Sequence, residues 1–303
     1  MWFKNLKVFI LDSNFEYTEE DLNKLLATQR FQKCSAQEMT RVGFVNVLGN
    51  EEDPSLCYQV DPDNWIFRIR TEKKVLPNSV VLDEVKERVE NEEITKCRKL
   101  SKKEVSEIKE IVLTNLLPKA FSIKKDTWIW VNAKDRYIVI NATSDSVADN
   151  ATALLRKALS SLPAHIPTFK NEICDCLTSW LVTQEAPVDF EIGEETEMCA
   201  IDGNAGIIRA KKQDLGTEEV IAHLKSGKVV TSLALSYKED ISFVIDDSFK
   251  IKRLKLSDTI MDYETDSNDK AIALATDLTM MCGTYSKFLP ILFNAFGGLK
   301  EDI

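Results

Sequence analysis

The sequence predicts an α+β fold with mixed or antiparallel sheets, packed helices and a protruding helical hairpin. Three observations support this class. Short stretches alternate apolar and polar residues, which is typical of strands with one buried face. Residues 77–117 instead repeat apolar side chains at helical spacing. In residues 228–237, Leu233 and Leu235 fall on one face and Ser232 and Ser236 on the other, which favours an antiparallel sheet with one wetted face.

The first 76 residues predict strands and one helix. Leu6, Val8 and Ile10 share one side of an opening strand. Thr18 is followed by three acids, which is typical of a helix start, because a hydroxyl caps free backbone N–H groups and acids suit the positive end of the helix dipole. Further strands are expected at 43–48 and 65–70.

Residues 77–117 predict two amphipathic helices joined by the basic stretch "KCRKLSKK" (96–103) and ending before Pro118. We expect this pair to project from the body as a hairpin. The stretch "DTWIWVNAKDRYIVINATS" (126–144) then predicts two central strands, because apolar residues occupy both faces. A helix over 147–161 and a proline-containing linker, "LPAHIP" (162–167), follow.

After this linker the pattern predicts a second α+β unit. We expect a short strand at Ile207 and Ile208, a helix from Thr217 to Gly227, and strands at 228–237 and 240–246. The last strand, "FKIKRLKL" (249–256), has two apolar pairs that are out of phase by one residue. A β-bulge at Lys252–Arg253 would restore one apolar face and place the cations on the other face. Lysines at a strand edge also prevent aggregation, so this row of cations alone does not establish a binding surface.

The expected domain division follows these changes of pattern. Residues 1–76, 117–163 and 271–303 form a central α+β domain, residues 77–116 form the hairpin tip, and residues 164–270 form a second, base domain.

Charge is distributed unevenly. The formal net charge is −10, yet residues 185–202 hold seven acids and no base, and residues 258–269 hold five acids and no base. The cations are clustered, as in "GIIRAKKQDL" (206–215), which contains Arg209, Lys211 and Lys212. Such a cluster is most simply a solvated loop. Cations on separate elements could also follow a nucleic-acid backbone without reading bases.

No catalytic pattern is present in the sequence. There is no phosphate-binding glycine loop or HExxH motif, and only two histidines. Cys174 and Cys176 lack a second pair at zinc spacing. The acidic runs could hold two metal ions of a nuclease, but a solvated surface explains them better. We therefore expect no enzyme activity, no cofactor and no metal.

Seven scattered cysteines suit reduced thiols in the cytoplasm, and no stretch predicts a membrane span.

Seven stretches along the whole chain resemble the family of the bacterial recombination-associated protein RdgC. They are "WFKNL" (2–6), "LLPKAFS" (116–122), "ATALLRKALSSLP" (151–163), "GIIRAKKQDL" (206–215), "GKVVTSLAL" (227–235), "KRLK" (252–255) and "FGG" (296–298). The resemblance implies a ring-forming, head-to-head homodimer that encircles duplex DNA. It further implies non-specific binding of single- and double-stranded DNA in the nucleoid, and restraint of the RecA recombinase by occupying DNA.

With this resemblance, clustered cations would line the ring and acids would face outward. The residues expected to bind DNA are Arg98, Lys99, Lys119, Lys124, Arg209, Lys211, Lys212, Gln213, Lys228, Lys250, Lys252, Arg253 and Lys255. Phe121, with Leu117 and Pro118, is expected at the contact between subunits. The alternative is a protein-interaction module that inhibits RecA by direct contact rather than through DNA.

The chain departs from the family pattern at two positions. Gly216 stands where a capping hydroxyl is usual, which leaves Thr217 to cap the next helix. Pro290 interrupts the predicted final helix and puts its straightness in doubt.

Overall fold

The computed structural model describes residues 1–50, 52–200, 206–262 and 269–300, and it has a mixed α+β fold. The strands are β1 (Leu6–Leu11), β2 (Thr40–Val45), β3 (Cys57–Asp61), β4 (Asn64–Val75), β5 (Phe121–Asn132), β6 (Tyr137–Ile140), β7 (Ala164–His165), β8 (Phe190–Ala200), β9 (Ile208–Lys211), β10 (Lys228–Tyr237), β11 (Ile241–Asp246) and β12 (Lys250–Leu256). The helices are α1 (Glu19–Ala27), α2 (Asn78–Lys96), α3 (Lys102–Leu116), α4 (Asp145–Leu159), α5 (Ile173–Thr183), α6 (Glu218–Lys225), α7 (Asp258–Met261) and α8 (Lys270–Ala295), with a 3₁₀ turn at Leu117–Lys119.

The strands form one large antiparallel sheet, as the alternation predicted. Its order is β2-β4-β5-β6-β1-β12-β11-β10-β8-β9, with β3 added to β4 and β7 added to β1. Strand β1 pairs with β6 on one side and with β12 on the other. It therefore joins an N-terminal half, formed by β2 to β6, to a C-terminal half, formed by β8 to β12.

Two apolar cores cover the sheet from opposite sides. On the N-terminal half, α1 and α4 pack over Phe67, Ile129 and Ile138, forming the α1–α4 core. On the other face, α5, α6 and α8 pack over the C-terminal half and reach Trp130 and Tyr137, forming the α8 core. Trp130 and Tyr137 are fully buried, which confirms that β5 and β6 are central strands.

The segment expected to be a linker is part of the sheet. Ala164 and His165 form β7 and pair with Leu11 and Ile10 of β1, and Leu162 is buried. The predicted linker thus packs on the body of the protein, which its prolines did not indicate, because proline spacing marks irregular backbone without showing whether that backbone packs. The continuous sheet passes from the first to the second predicted domain through the β1–β12 pair, and the domain division stays a prediction.

Helices α2 and α3 follow one another and pack through the buried side chains of Val81, Val85 and Val112. Ser101 begins α3 with a capping box, in which its hydroxyl accepts from the backbone N–H of Glu104 while the Glu104 carboxylate accepts from the backbone N–H of Ser101. Helix α8 continues through Pro290 to Ala295, so this proline does not end the helix.

The start of α6 differs from the prediction in detail. Thr217 occupies the capping position, but its hydroxyl makes no capping bond to the helix and instead donates to the carbonyl of Asp214 at 3.3 Å.

Candidate nucleic-acid interface

The C-terminal half of the sheet has one open face. Met198, Val230 and Ile251 point into the α8 core, so their strand neighbours point to the opposite, wetted side. On β12 the predicted bulge is present: Val244 pairs with Lys252 and Ser242 pairs with Lys255, which leaves one extra residue on β12. Arg253 occupies the bulge with φ of 53°. The bulge keeps Ile251 and Leu254 buried and leaves Arg253 exposed.

Four predicted cations meet on this open face. Arg209 and Lys211 come from β9, and Lys252 and Arg253 come from β12. Together with Asn5 and Ser232 they line a cleft of about 360 Å³. The simplest expectation, a solvated loop, was wrong for Arg209 and Lys211, because β9 extends to Lys211 with Ala210 buried between the two cations. We name the four residues the basic face.

Carboxylates on the same surface contact each of these cations. Glu197 accepts from Arg209 at 2.6 Å, and Asp246 lies 2.6 Å from the Lys252 ammonium. Glu195 bridges Arg253 at 2.7 Å and Lys211 at 3.4 Å. The expectation that acids face outward, away from the cations, was therefore wrong here. Its cause is β8, which lies within the acidic run and pairs directly with the basic strand β9.

Nearby cations lower the pKa of two carboxylates, one on this face and one beside it. Hydrogen bonding from Arg253 and its positive charge, together with Lys211, keep the pKa of Glu195 below the ordinary value of 4.5 in spite of partial burial. Beside this face, the hydrogen bond from Lys250 lowers the pKa of Asp145, and Asp145 in turn raises the pKa of Lys250. The carboxylate of Glu195 thus stays charged beside the cations of the basic face and acts as a counter-charge to them.

The other predicted residues near this face differ in their exposure and in the contacts that they make. Lys212, Gln213 and Lys255 are exposed, and within the described ranges no ion pair is formed by Lys212 or Lys255. Lys250 reaches Asp145 at 2.7 Å, and Lys228 donates to the carbonyl of Gly206 at 3.2 Å.

The other predicted cations lie elsewhere. Arg98 and Lys99, between α2 and α3, pair with Glu104 at 2.7 Å and Glu93 at 2.6 Å. Lys119 belongs to the 3₁₀ turn, and Lys124 belongs to β5 in the N-terminal half. These four residues do not line the cleft of the basic face.

Among the predicted contact residues, Phe121 has the most exposed side chain. It is 88% accessible and pairs in register with Val75, which is 40% accessible, at the end of the β4–β5 pair. Pro118 is exposed as well. Leu117 is buried within the protomer, and its carbonyl accepts from Lys74 at 3.0 Å. A contact with a second chain would therefore use Phe121 and Pro118 rather than the Leu117 side chain.

The acidic runs are partly within the described ranges, since residues 201–202 and 263–268 lie outside them. Within the ranges, no group of three or more His, Cys, Asp or Glu side chains could hold a metal ion. Cys174 Sγ donates to the Val230 carbonyl at 3.4 Å. No helix among the residues that the structure describes combines the length and apolar character that crossing a bilayer requires.

Sequence reasoning missed the carboxylates of the basic face and a second cationic cleft in the N-terminal half. That cleft includes Arg68 and Arg70 of β4. The alternation Phe67, Arg68, Ile69, Arg70 could have indicated it, because it predicts two arginines on the face opposite two core residues.

The whole chain is similar to known recombination proteins. A family model described as "Putative exonuclease, RdgC" matches residues 1–299. The Recombination-associated protein RdgC of Pseudomonas fluorescens (strain Pf0-1) is 38% identical over 300 residues, or 98% of each chain. Those of Tolumonas auensis and Aeromonas hydrophila are 36% and 37% identical, over 100% of both chains. With its length matched throughout, the chain belongs to the RdgC family of recombination-associated proteins.

Proposed function

We propose that this protein binds DNA without sequence preference and limits the access of RecA to it during homologous recombination. The basic face is the observation that supports this proposal most directly. Four cations from two strands line one cleft, and exposed Lys212 and Lys255 lie within two residues of them in sequence. Such an arrangement contacts phosphates and offers no reading helix to the bases. A surface of this kind can bind both double- and single-stranded DNA.

Charge reversal at Lys211 of the basic face and at the adjacent Lys212 tests the proposal. The double variant Lys211→Glu and Lys212→Glu should weaken binding to unrelated duplexes equally, by about tenfold or more at moderate salt, because phosphate contacts are electrostatic and carry no sequence information. The logarithm of the affinity should fall with the logarithm of salt concentration at about 0.9 per phosphate contact. Fluorescence anisotropy with labelled duplexes measures both quantities.

Lys24→Glu with Lys157→Glu is the matched control, since both lysines are exposed on helices of the α1–α4 core. Equal losses in the control and the test variant would show that only total charge matters. That result would remove the basic face from the proposal.

We also propose a homodimer closed into a ring, with Phe121 and Pro118 at one contact and the α2–α3 pair as a hairpin tip near it. Its support is an exposed apolar patch formed by Phe121, at 88% exposure, with Ile123 and Val75 at the end of the β4–β5 pair, since a contiguous apolar patch in water is typical of an interaction site. Phe121→Ala should shift the mass in solution toward the monomer, measured by sedimentation equilibrium. Val188→Ala is the control, because Val188 is equally exposed, at 86%. An unchanged mass for Phe121→Ala would contradict the contact.

Limitation of RecA can act through DNA or by direct contact. RecA strand exchange should be inhibited by this protein and restored by added DNA if occupancy is the cause. Inhibition that persists at high DNA concentration would favour the protein-interaction alternative.

We propose that the chain is not an enzyme, although one family description names an exonuclease. Glu195, Glu197 and Asp246 each contact a cation of this chain, which opposes their use as ligands of a catalytic metal ion. Incubation of end-labelled DNA with magnesium or manganese should leave it uncut. Progressive shortening that survives repurification would contradict this. A place in the cytoplasm, associated with the nucleoid, follows from the proposed role.

A further inference from the structure

The N-terminal half of the sheet contains a second cleft on the side opposite the basic face. On β4, Ile66 points into the α8 core, and Arg68 and Arg70 follow on the same side. On β12, Lys252 points away from that core. The cleft has a volume of about 330 Å³, and five cations line it, which we name the cationic cleft: Arg30, Lys33, Arg68, Arg70 and Lys124.

The close approach of residues 30–33 to β2 forms one wall of the cationic cleft. A Cβ atom on Gly43 would lie 2.4 Å from the Cα of Phe31, so only glycine permits this contact. The Phe31 N–H donates to the Phe44 carbonyl at 2.9 Å, and the Phe44 N–H donates to the Gln29 carbonyl at 2.9 Å. This bonding fixes the backbone that carries Arg30 and Lys33.

The two arginines of the cleft are held in place. Asp126 accepts from Arg68 Nε at 2.8 Å, and it accepts from Arg70 Nε at 2.8 Å and Arg70 Nη2 at 2.9 Å. The Arg68 guanidinium also lies over the Trp128 ring, 5.0 Å from its centroid. The side chains of Arg68 and Arg70 are only 18% and 22% exposed. They are thus pre-organised before any ligand arrives.

Positive charge exceeds negative charge at this site. Asp53 is the one carboxylate among the described residues that line the cleft, against five cations, while Asp126 lies between the arginines and Glu72 is buried close by. Hydrogen bonds from Ser122 and Cys34 hold Glu72, and Lys124 and Lys33 add attraction. Cations confined in a partly dehydrated cleft repel one another, and a bound anion offsets that repulsion.

We propose that the cationic cleft binds a phosphate group, supplied either by a nucleic-acid strand end or by a small phosphorylated molecule. Guanidinium groups match phosphate oxygens in geometry, and lysines add charge at the rim. The site lies on the opposite side of the sheet from the basic face, so it does not depend on the proposed DNA-binding role of that face.

The test uses variants at the exposed rim of the cleft. Lys33→Gln with Lys124→Gln removes two rim charges and leaves the held arginines intact. Lys73→Gln with Lys125→Gln is the control, because these exposed lysines are strand neighbours that point to the other side of the sheet. Calorimetric titration with pyrophosphate should show binding to the full-length chain. It should be about tenfold weaker in the cleft variant, as expected for two lost charge-assisted contacts, and unchanged in the control.

A second titration identifies the source of the phosphate. Stronger binding of a 5′-phosphorylated oligonucleotide than of its 5′-hydroxyl counterpart, lost in the cleft variant, assigns the site to strand ends. Pyrophosphate binding without that preference assigns it to small phosphorylated molecules. The proposal is overturned if pyrophosphate does not bind at millimolar concentration, or if the cleft variant and its control weaken equally. Circular dichroism and thermal melting confirm that both variants fold.

Discussion

In each half of the sheet one carboxylate bridges two cations, but the two bridges differ in their exposure to solvent. In the N-terminal half, Asp126 bridges Arg68 and Arg70, whose side chains are 18% and 22% exposed. In the C-terminal half, Glu195 bridges Lys211 and Arg253, whose side chains are 57% and 53% exposed. A partly buried bridge stabilises its cations against desolvation, whereas an exposed bridge contributes little and exchanges readily with solvent ions. The first bridge is therefore structural, and the second is replaceable by a ligand.

Removing each bridging carboxylate gives the largest expected difference. Asp126→Asn should lower the free energy of unfolding by roughly 2–3 kcal/mol, because two guanidiniums lose their counter-charge where water reaches them poorly. Glu195→Gln should change it by less than about 1 kcal/mol, since both partners remain hydrated. Urea unfolding followed by circular dichroism measures both. Equal losses of stability in the two variants would contradict the distinction between a structural and a replaceable bridge.

The exposed bridge should also regulate DNA affinity. Glu195→Gln releases Lys211 and Arg253 from their carboxylate, so duplex binding should tighten by about fivefold at moderate salt, or about 1 kcal/mol. The salt dependence should steepen, because two freed cations can displace more counterions. Anisotropy titrations at several salt concentrations provide the measurement.

Glu191→Gln is the matched control for this gain. Glu191 is exposed on the same strand, β8, and forms no ion pair with any residue in the described part of the chain. A similar gain in this control would attribute the effect to net charge rather than to release of the bridge.

Acid should weaken the fold through the structural bridge. Burial raises the pKa of Asp126, but hydrogen bonds from Arg70 and Arg68 outweigh it and hold the pKa below the ordinary 3.8. A carboxyl with a lowered pKa stabilises the fold above its ordinary value, and this contribution is lost as the pH falls through the lowered value. The free energy of unfolding should therefore decline as the pH falls below about 4.

The same unfolding series in Asp126→Asn isolates this contribution. The variant should lose less stability than the parent between about pH 4 and pH 2, because it no longer contains the carboxyl that titrates. Parallel curves for the two proteins would assign the acid sensitivity to other carboxyls.

Local patterns predicted much of the fold. The two-residue period over 228–237 identified a strand of an antiparallel sheet, and the phase shift in 249–256 identified the bulge that exposes Arg253. Both features depend on which side chains share a face of the strand, and the order of neighbouring residues determines that. Helical spacing likewise located α2 and α3 within two residues of their observed ends.

Strand pairing between distant segments could not be predicted in this way. Strand β8 was hidden because its glutamates suggested a solvated segment, and only its pairing with β9 brings Glu195 and Glu197 to the cations. The Asp126 bridge depends similarly on the register that places Arg70 opposite Asp126. Charge balance at a site is a property of tertiary neighbours, so counting charges along the sequence predicted the cations and not their partners.

The position of β1 has a consequence for the growing chain. Strand β1 is synthesised before the other described strands, yet β12, one of the strands that pair with it, is synthesised after all of them. The edge of β1 that receives Ile251 therefore stays unpaired there until β12 has been synthesised. Completion of the sheet must wait until β12 has been synthesised, so a product truncated before Lys250 keeps an open strand edge that invites association with other chains.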